Sequence, residues 1–102
     1  MKRKNYTKKE IAKQVAGRLD FPASKTHEVV VETFNVMREM MSEDRDFTRI
    51  ELRNFGSFSV KPAKAKPRAR NPRTNEEVYV PPHRKSHFKP GKLLKSSLRK
   101  PL

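Results

Sequence analysis

One basic segment, KPAKAKPRARNPRTNEEVYVPP at residues 61–82, restricts what this chain can fold into more than any other feature. Residues 61–70 contain five Lys or Arg and no acidic residue, so they cannot bury themselves in a core. The segment nevertheless continues into a turn signal at residues 70–75 and an alternating run at residues 77–80. A flexible tail needs neither a turn nor a return strand. The pattern therefore predicts a two-stranded arm that projects from a domain and contacts a polyanion.

The distribution of charge supports this interpretation. The chain has 102 residues and a net charge of +14, which favours an anionic partner. Eight of the eleven acidic residues lie between Asp20 and Glu51, whereas fourteen of the 25 Lys and Arg follow Glu51. The first half is therefore interpreted as scaffold and the second half as binding surface.

The chain is short of material for a core. Only 33% of its residues are hydrophobic, and a body this small buries little apolar surface. There is no cysteine, which excludes disulfides and thiolate metal sites, so oligomerisation is the remaining source of stability. The basic first residues are not followed by an apolar stretch, so we expect neither a signal peptide nor a membrane span.

Two helices are expected in the first half. A capping box at residues 7–10, followed by an apolar stripe of Ile11, Val15 and Leu19, predicts a helix over about residues 7–19. A second helix, capped by Ser24, runs to about residue 41 and is apolar on more than one side. We interpret this wide apolar surface as a dimer interface; the alternative is a helix buried within its own monomer.

Strands are expected in the second half. Residues 47–52 and 55–60 form two strands around a turn at residues 53–54, and residues 78–80 return as a third. A short basic helix follows at about residues 93–98. The ribbon can carry prolines because both of its strands lie at an edge. The four phenylalanines of this half are expected in the core, with stacking on bases as the alternative: Phe47, Phe55, Phe58 and Phe88.

Three motifs carry a resemblance to a known family. They are RNFGSF at residues 53–58, RNPRT at residues 70–74 and FKPGKLLK at residues 88–95. Their residues, order and spacing resemble those of the bacterial HU and integration host factor (IHF) family of histone-like DNA-binding proteins. The resemblance extends over almost the whole chain. The family usually has glycine where Asn54 and Asn75 stand. Asparagine is the next-best residue for a left-handed backbone, so both turns are expected to survive.

The resemblance implies an α+β fold with two N-terminal helices, a three-stranded antiparallel sheet with a protruding β-ribbon arm, and a short C-terminal helix, in an intertwined dimer. We expect a DNA-binding domain at residues 7–98, an arm at about residues 61–82, a basic tail at residues 1–6 and a short tail at residues 99–102.

Two groups of residues are expected to bind DNA. The first group neutralises phosphates, releasing counterions as it does so, and comprises Lys61, Lys64, Lys66, Arg68, Lys92 and Lys95. Gly91 is expected to let a phosphate approach the last helix. The second group follows from the resemblance: Pro72 is the intercalating residue, and Arg70, Asn71 and Arg73 read the minor groove.

Nothing in the sequence predicts catalysis, a cofactor or a metal site. His83 and His87 are too few for zinc, and Glu76 and Glu77 point to opposite faces of a strand. We therefore do not expect an enzyme. The resemblance implies an architectural protein that binds and bends double-stranded DNA with little sequence preference and compacts the chromosome.

Several alternatives stay open. A homodimer is expected, and a heterodimer with a related subunit is possible. The protein is expected in the cytoplasm, on the nucleoid, with no membrane or small-molecule partner.

A site-specific DNA bender of the IHF type shares the fold. A basic RNA-binding or ribosome-associated protein fits the composition but not the ordered motifs. A membrane-surface protein would need a strongly amphipathic cationic helix, which is missing.

Overall fold

A computed structural model of the protein describes residues 3–64 and 66–101, and the side chains of residues 66–69 lie outside the described part. Within it the elements follow one another as α1 (Lys8–Leu19), α2 (Ala23–Ser42), β1 (Thr48–Leu52), β2 (Gly56–Ala63), β3 (Lys66–Arg70), β4 (Glu77–Val80), β5 (His83–Pro90) and α3 (Lys92–Leu98). The predicted α+β fold is confirmed. The chain divides into two units, residues 1–40 and residues 41–102.

The first helix begins where the sequence predicts, but the predicted capping contact is not made. Thr7 is the N-cap residue, yet its side chain makes no capping hydrogen bond. Its carbonyl oxygen accepts instead from the amide of Ile11, at 3.1 Å. The carboxylate of Glu10 accepts from the side-chain amide of Gln14 at 3.5 Å, so the capping box is wrong.

The connection between α1 and α2 is a tight turn around Asp20. Asp20 adopts a left-handed conformation with φ 54°, and the amides of Asp20 and Phe21 both donate to the carbonyl of Ala16. The next helix begins at Ala23, so Ser24 lies inside α2 and does not cap it. The hydroxyl of Thr26 donates to the carbonyl of Pro22 at 2.8 Å, which ties the first turn of α2 to the connection.

The second unit contains a three-stranded antiparallel sheet in the order β1-β2-β5. A turn joins β1 to β2, and within it Asn54 has φ 69°, as expected for a residue that replaces glycine. Residues 78–80 form a strand, as predicted, but they are not the third strand of this sheet. Residues 78–80 belong to a separate two-stranded sheet, β3-β4, and β5 completes the main sheet, with Phe88 opposite Phe58.

The sequence of β5 explains why it was missed. In HRKSHFKP only Phe88 is a large apolar residue, and most of the strand is exposed. A period-two hydrophobic signal is therefore absent, although the strand pairs with β2 over its whole length. Pairing with β2, and not local hydrophobic pattern, specifies this strand.

An aromatic cluster lies on one face of this sheet. The ring of Phe88 is 4.8 Å from that of Phe58 and 5.4 Å from that of Phe55, between centroids, which suits tilted aromatic packing. Phe47 does not join them. It comes just before β1 and, by strand alternation, lies on the same face of the sheet as Arg49. Its side chain is 60% exposed, and the ammonium of Lys61 lies 5.8 Å from its ring centroid. The expectation of one shared phenylalanine core is therefore wrong for Phe47. Phe55 and Phe88 pack with Phe58, but they are still 47% and 41% exposed in the single chain.

Gly56 is required by this packing. A Cβ atom built at this position would lie 2.6 Å from the carbonyl oxygen of Lys89 and 2.7 Å from the ring of Phe88. Both neighbours are held by the β2–β5 pairing, so neither can move freely. Only glycine lets β5 approach this closely.

The ribbon continues the strands of the sheet outward. Strand β2 runs past the end of β1, so at Pro62 it has β5 as its only neighbour and the missing N–H is tolerated. Beyond this, β3 pairs with β4, with a register shift between Lys66 and Ala69. At the base of the ribbon, the guanidinium of Arg84 donates to the carbonyls of Glu43 and Arg45.

Little apolar surface is buried by this single chain. Among the described residues the buried hydrophobic ones are Ala12, Ala16 and Val60, and no large side chain is fully buried. On α2, Val29, Phe34, Val36 and Met40 are all exposed. This surface agrees with the predicted dimer, because it needs a second chain to cover it. No helix in the described part is long and apolar enough to cross a membrane.

We expect Gly56→Ala to destabilise the protein by about 1–3 kcal/mol, the usual cost of overpacking a tight site. Gly17→Ala is the matched control, because a Cβ atom there meets nothing within 4 Å. Alanine inside helix α1 should stabilise by up to about 1 kcal/mol. Urea unfolding followed by circular dichroism, at one protein concentration, measures both. Equal stability of the two variants would contradict the packing described.

Candidate nucleic-acid interface

The tip of the ribbon is a turn held by hydrogen bonds on both sides. Between the ends of the turn, the Asn71 amide donates to the Glu76 carbonyl at 2.9 Å, and the Asn75 amide donates to the Asn71 carbonyl at 2.7 Å. Inside it, Oδ1 of Asn71 accepts from the Arg73 amide at 3.0 Å, and the Thr74 hydroxyl accepts from the Glu76 amide at 3.4 Å. The short side chains thus supply turn contacts that a bare backbone would lack.

Pro72 lies within this turn. It follows Asn71 directly and is exposed, as is Arg73. Asn71 itself is half-buried. Asn75 takes the left-handed conformation, with φ 60°, that closes the turn, as expected at a glycine-like position. The structure therefore places the four predicted tip residues in one turn and leaves Pro72 exposed there: Arg70, Asn71, Pro72 and Arg73.

Arg70 is folded back on the arm. Its Nη1 atom lies 3.3 Å from the carbonyl oxygen and 3.4 Å from Oδ1 of Asn75. Its Nη2 atom lies 3.7 Å from Oε1 of Glu77, the residue opposite it in the ribbon. The guanidinium is therefore engaged within the tip, although more than half of its side-chain surface is exposed.

Lys61 lies within a larger basic surface on the sheet. Strand alternation and register place a row of polar side chains from β1, β2 and β5 on the face opposite Phe58 and Phe88. The side chains of this polar face are Arg49, Glu51, Ser57, Ser59, Lys61, Lys85, His87 and Lys89. Glu51 is the only acidic one, and it pairs with Arg49 at 3.4 Å.

Two grooves on this face are continuous. One is lined by residues that include Phe47, Lys61 and His87, and the other by residues that include Arg53 and Gly91. Both grooves share the same three lining residues, namely Arg49, Ser57 and Lys89. We call this connected area the basic sheet surface. Sequence reasoning missed Lys89 because it did not recognise β5. It also missed Arg49, although it predicted the strand on which Arg49 lies.

Gly91 has a packing role that sequence reasoning did not predict. Its amide donates to the carbonyl of Phe55 at 2.8 Å, and a Cβ atom there would lie 3.2 Å from the same oxygen. This contact fixes the start of α3 against the turn between β1 and β2. Lys92 and Lys95 are exposed on α3, outside the lining of either groove. That a phosphate approaches Gly91 stays a prediction.

The remaining predicted phosphate contacts lie along the ribbon. Lys64 is exposed between β2 and β3. Lys66 and Arg68 belong to β3, but their side chains lie outside the described part of the chain. The arm and the basic sheet surface share strands β2 and β5 at the base of the ribbon. A long polyanion is the ligand that such an extended basic surface suits.

The histidines show no metal-binding arrangement. Residues 83 and 87 both lie on β5, where four residues span about 13 Å. His83 contacts the carbonyl of Pro81 at 2.9 Å, and His87 lines the basic sheet surface. Across the described ranges no three His, Asp or Glu side chains are grouped so that they could hold a metal ion.

Comparison with known proteins gives a consistent result. Residues 6–99 match the family described as "Bacterial DNA-binding protein". The integration host factor subunit beta of Alkalilimnicola ehrlichii is 43% identical over 92 residues, covering 87% of this chain and 86% of that protein. The integration host factor subunit alpha of Hydrogenovibrio crunogenus is 33% identical over 92 residues, covering 90% of this chain and 91% of that protein.

A solved structure is also similar. The Anabaena HU protein, from a cocrystal structure with DNA, superimposes with a TM-score of 0.79 and 28% sequence identity. The match covers 94% of this chain and all of that one, 100%. Similarity therefore extends over the ribbon as well as over the helices and the sheet.

We expect Asn71→Ala to loosen the tip, because alanine removes the acceptor for the Arg73 amide. Loss of one hydrogen bond should speed hydrogen exchange of that amide about five-fold. The measurement is amide exchange by NMR. Asn35→Ala is the control, since Asn35 bonds Glu32 on α2 and should leave the tip unchanged. Unaltered Arg73 exchange in Asn71→Ala would contradict the described turn.

Proposed function

The chain belongs to the family of bacterial DNA-binding proteins, and on that basis we propose that it is an architectural protein that binds duplex DNA and bends it with its ribbon arm. The observation that carries this proposal is the tip, where Pro72 is exposed at the end of a turn held by internal hydrogen bonds. The role is structural and not catalytic.

Pro72 is proposed as the intercalating residue. Proline is rigid and apolar and has no N–H to desolvate, so its ring can enter a base step from the minor groove at small polar cost. Apolar wedges of this kind kink DNA by roughly 20–90° in minor-groove proteins, this family among them. Asn71 and Arg73 flank the wedge and can contact groove acceptors, as the resemblance implies.

The basic residues are proposed to hold the DNA on either side of the kink. Smooth bending of a site costs about 1–6 kcal/mol, which added phosphate contacts must offset. The predicted residues are Lys61, Lys64, Lys66, Arg68, Lys92 and Lys95. To these we add Arg49 and Lys89, which line both grooves of the basic sheet surface. Phosphate contacts fix the position of the protein on DNA but carry no sequence information themselves.

A dimer is proposed to be the working unit. The exposed apolar residues of α2 need a partner to cover them, and two arms would give two kinks in one duplex. We propose a homodimer. A heterodimer is the alternative, because the relatives include proteins named as alpha and beta subunits of integration host factor. On the chromosome such a dimer would be part of the nucleoid in the cytoplasm and would compact the DNA.

The test is the end-to-end distance of a labelled random-sequence duplex, measured by FRET at fixed salt. Wild-type protein should compact the duplex. Pro72→Ala should lose most of the compaction and keep most of the affinity, because phosphate contacts dominate binding. Pro62→Ala is the matched control, since Pro62 is an arm proline at the base of the ribbon, far in sequence from the tip.

Two outcomes would contradict the proposal. If Pro72→Ala compacted the duplex as much as wild type does, Pro72 would not be the intercalating residue. If the wild type bound the duplex without compacting it, the arm would only bind phosphates through its charge. The RNA-binding alternative would then gain support if structured RNA bound more tightly than kinked or nicked DNA at matched salt.

Site-specific bending is a second candidate, favoured by the similarity to integration host factor subunits. We expect low specificity, because the proposed contacts are mainly with the backbone and the shape of DNA. Duplexes selected from a random pool should therefore bind only slightly more tightly than unselected DNA in competition. A preference of about a thousand-fold or more, the range of site-specific proteins, would establish the second candidate instead.

A further inference from the structure

The open end of the tip turn is spanned by one side chain, that of Arg70. Arg70 is the last residue of β3 and Glu77 the first of β4, and the two face each other across the ribbon. From there the guanidinium reaches the carbonyl oxygen and Oδ1 of Asn75, at 3.3 Å and 3.4 Å. One planar group with several donors thus contacts both the return strand and the turn.

The side chain of Asn75 makes the contact between Arg70 and Oδ1 possible. Its backbone is left-handed, with φ 60°, a conformation that glycine adopts with least strain and asparagine tolerates. Glycine would satisfy the turn equally well but has no side-chain oxygen. Asparagine adds an acceptor at the point that Arg70 reaches, so the residue at this position does more than permit the turn.

Contacts continue from Asn75 to the proline. The amide of Asn75 donates to the carbonyl of Asn71 at 2.7 Å, and Pro72 is bonded directly to that carbonyl carbon. Any displacement of Asn75 therefore shifts the peptide group that carries the proline ring. Within the tip, Arg70 is two contacts away from Pro72 without touching it.

We propose that Arg70 is a positioning residue for Pro72, acting through Asn75, and that its main contribution is to bending rather than to affinity. The inference rests on the proposed function. A wedge that is already held in its inserting orientation loses less conformational entropy when it enters the base step. This differs from a groove-reading role, in which the guanidinium would leave Asn75 and Glu77 for the DNA.

The test compares variants at position 75 at saturating protein, so that bending is measured separately from affinity. Asn75→Gly keeps the left-handed backbone and removes only the side-chain acceptor. We expect the ratio of bent to unbent complexes in single-molecule FRET to fall about five-fold, the effect of losing one hydrogen bond. The dissociation constant should change much less than this ratio.

Two controls separate the acceptor from other effects of the substitution. Asn54→Gly makes the same change at the other left-handed asparagine, φ 69° in the body turn, and should leave bending unchanged. Asn75→Asp keeps the acceptor and should bend normally at saturation, even though its charge weakens DNA binding. Full bending by Asn75→Gly, or lost bending in Asn75→Asp, would overturn the inference.

A variant of Arg70 itself provides an independent readout. Arg70→Lys keeps the positive charge but lacks the planar group that contacts Asn75 and Glu77 together. We expect bending to fall while the dependence of affinity on salt stays as in wild type, since the number of phosphate contacts is unchanged. Normal bending by Arg70→Lys would overturn the positioning role. Absence of bending by wild type would instead overturn the proposed function, and this inference with it.

Discussion

Burial of apolar surface is the constraint on which the rest of this structure depends. The buried hydrophobic residues of the described chain are Ala12, Ala16 and Val60, while α2 exposes valine, phenylalanine and methionine side chains. Hydrophobic burial is the dominant favourable term in folding, and a small body with no disulfide has little else. Stability therefore has to come from a second chain. A dimer would supply that surface, and it would carry two arms.

The arm is stabilised differently, because it has almost no apolar surface to bury. Its conformation depends on pairing and on turn chemistry. The amide and carbonyl of Asn71 bond across the turn to Glu76 and Asn75, and Arg70 spans its open end. All of these groups are at or near the surface, so each contact is individually weak in water. Together they hold the turn in which the exposed Pro72 lies.

Sequence predicted the parts that depend on local chemistry. The helices, the left-handed asparagines at 54 and 75, the tip turn and α3 follow from periodicity or turn residues, although the predicted caps of α1 and α2 are wrong. The largest error concerns one strand. Strand β5 has a single large apolar residue and is specified by pairing with β2, so its alternation was not recognised. With β5 missed, Lys89 and its neighbours could not be assigned to the basic sheet surface. Arg49 lies on a predicted strand, but its place on that surface follows from its register with β2 and, through β2, with β5.

The sequence by itself determined the charge of this protein, its shortage of core, its ribbon turn and the motif with Pro72, because these are properties of composition and of adjacent residues. Tertiary structure alone decided which strands pair, and therefore which side chains share a face. It also decided that Gly56 must be glycine, since the carbonyl of Lys89 and the ring of Phe88 occupy the space beside it. Contacts between residues far apart in sequence follow from register and close packing, and no local pattern encodes them.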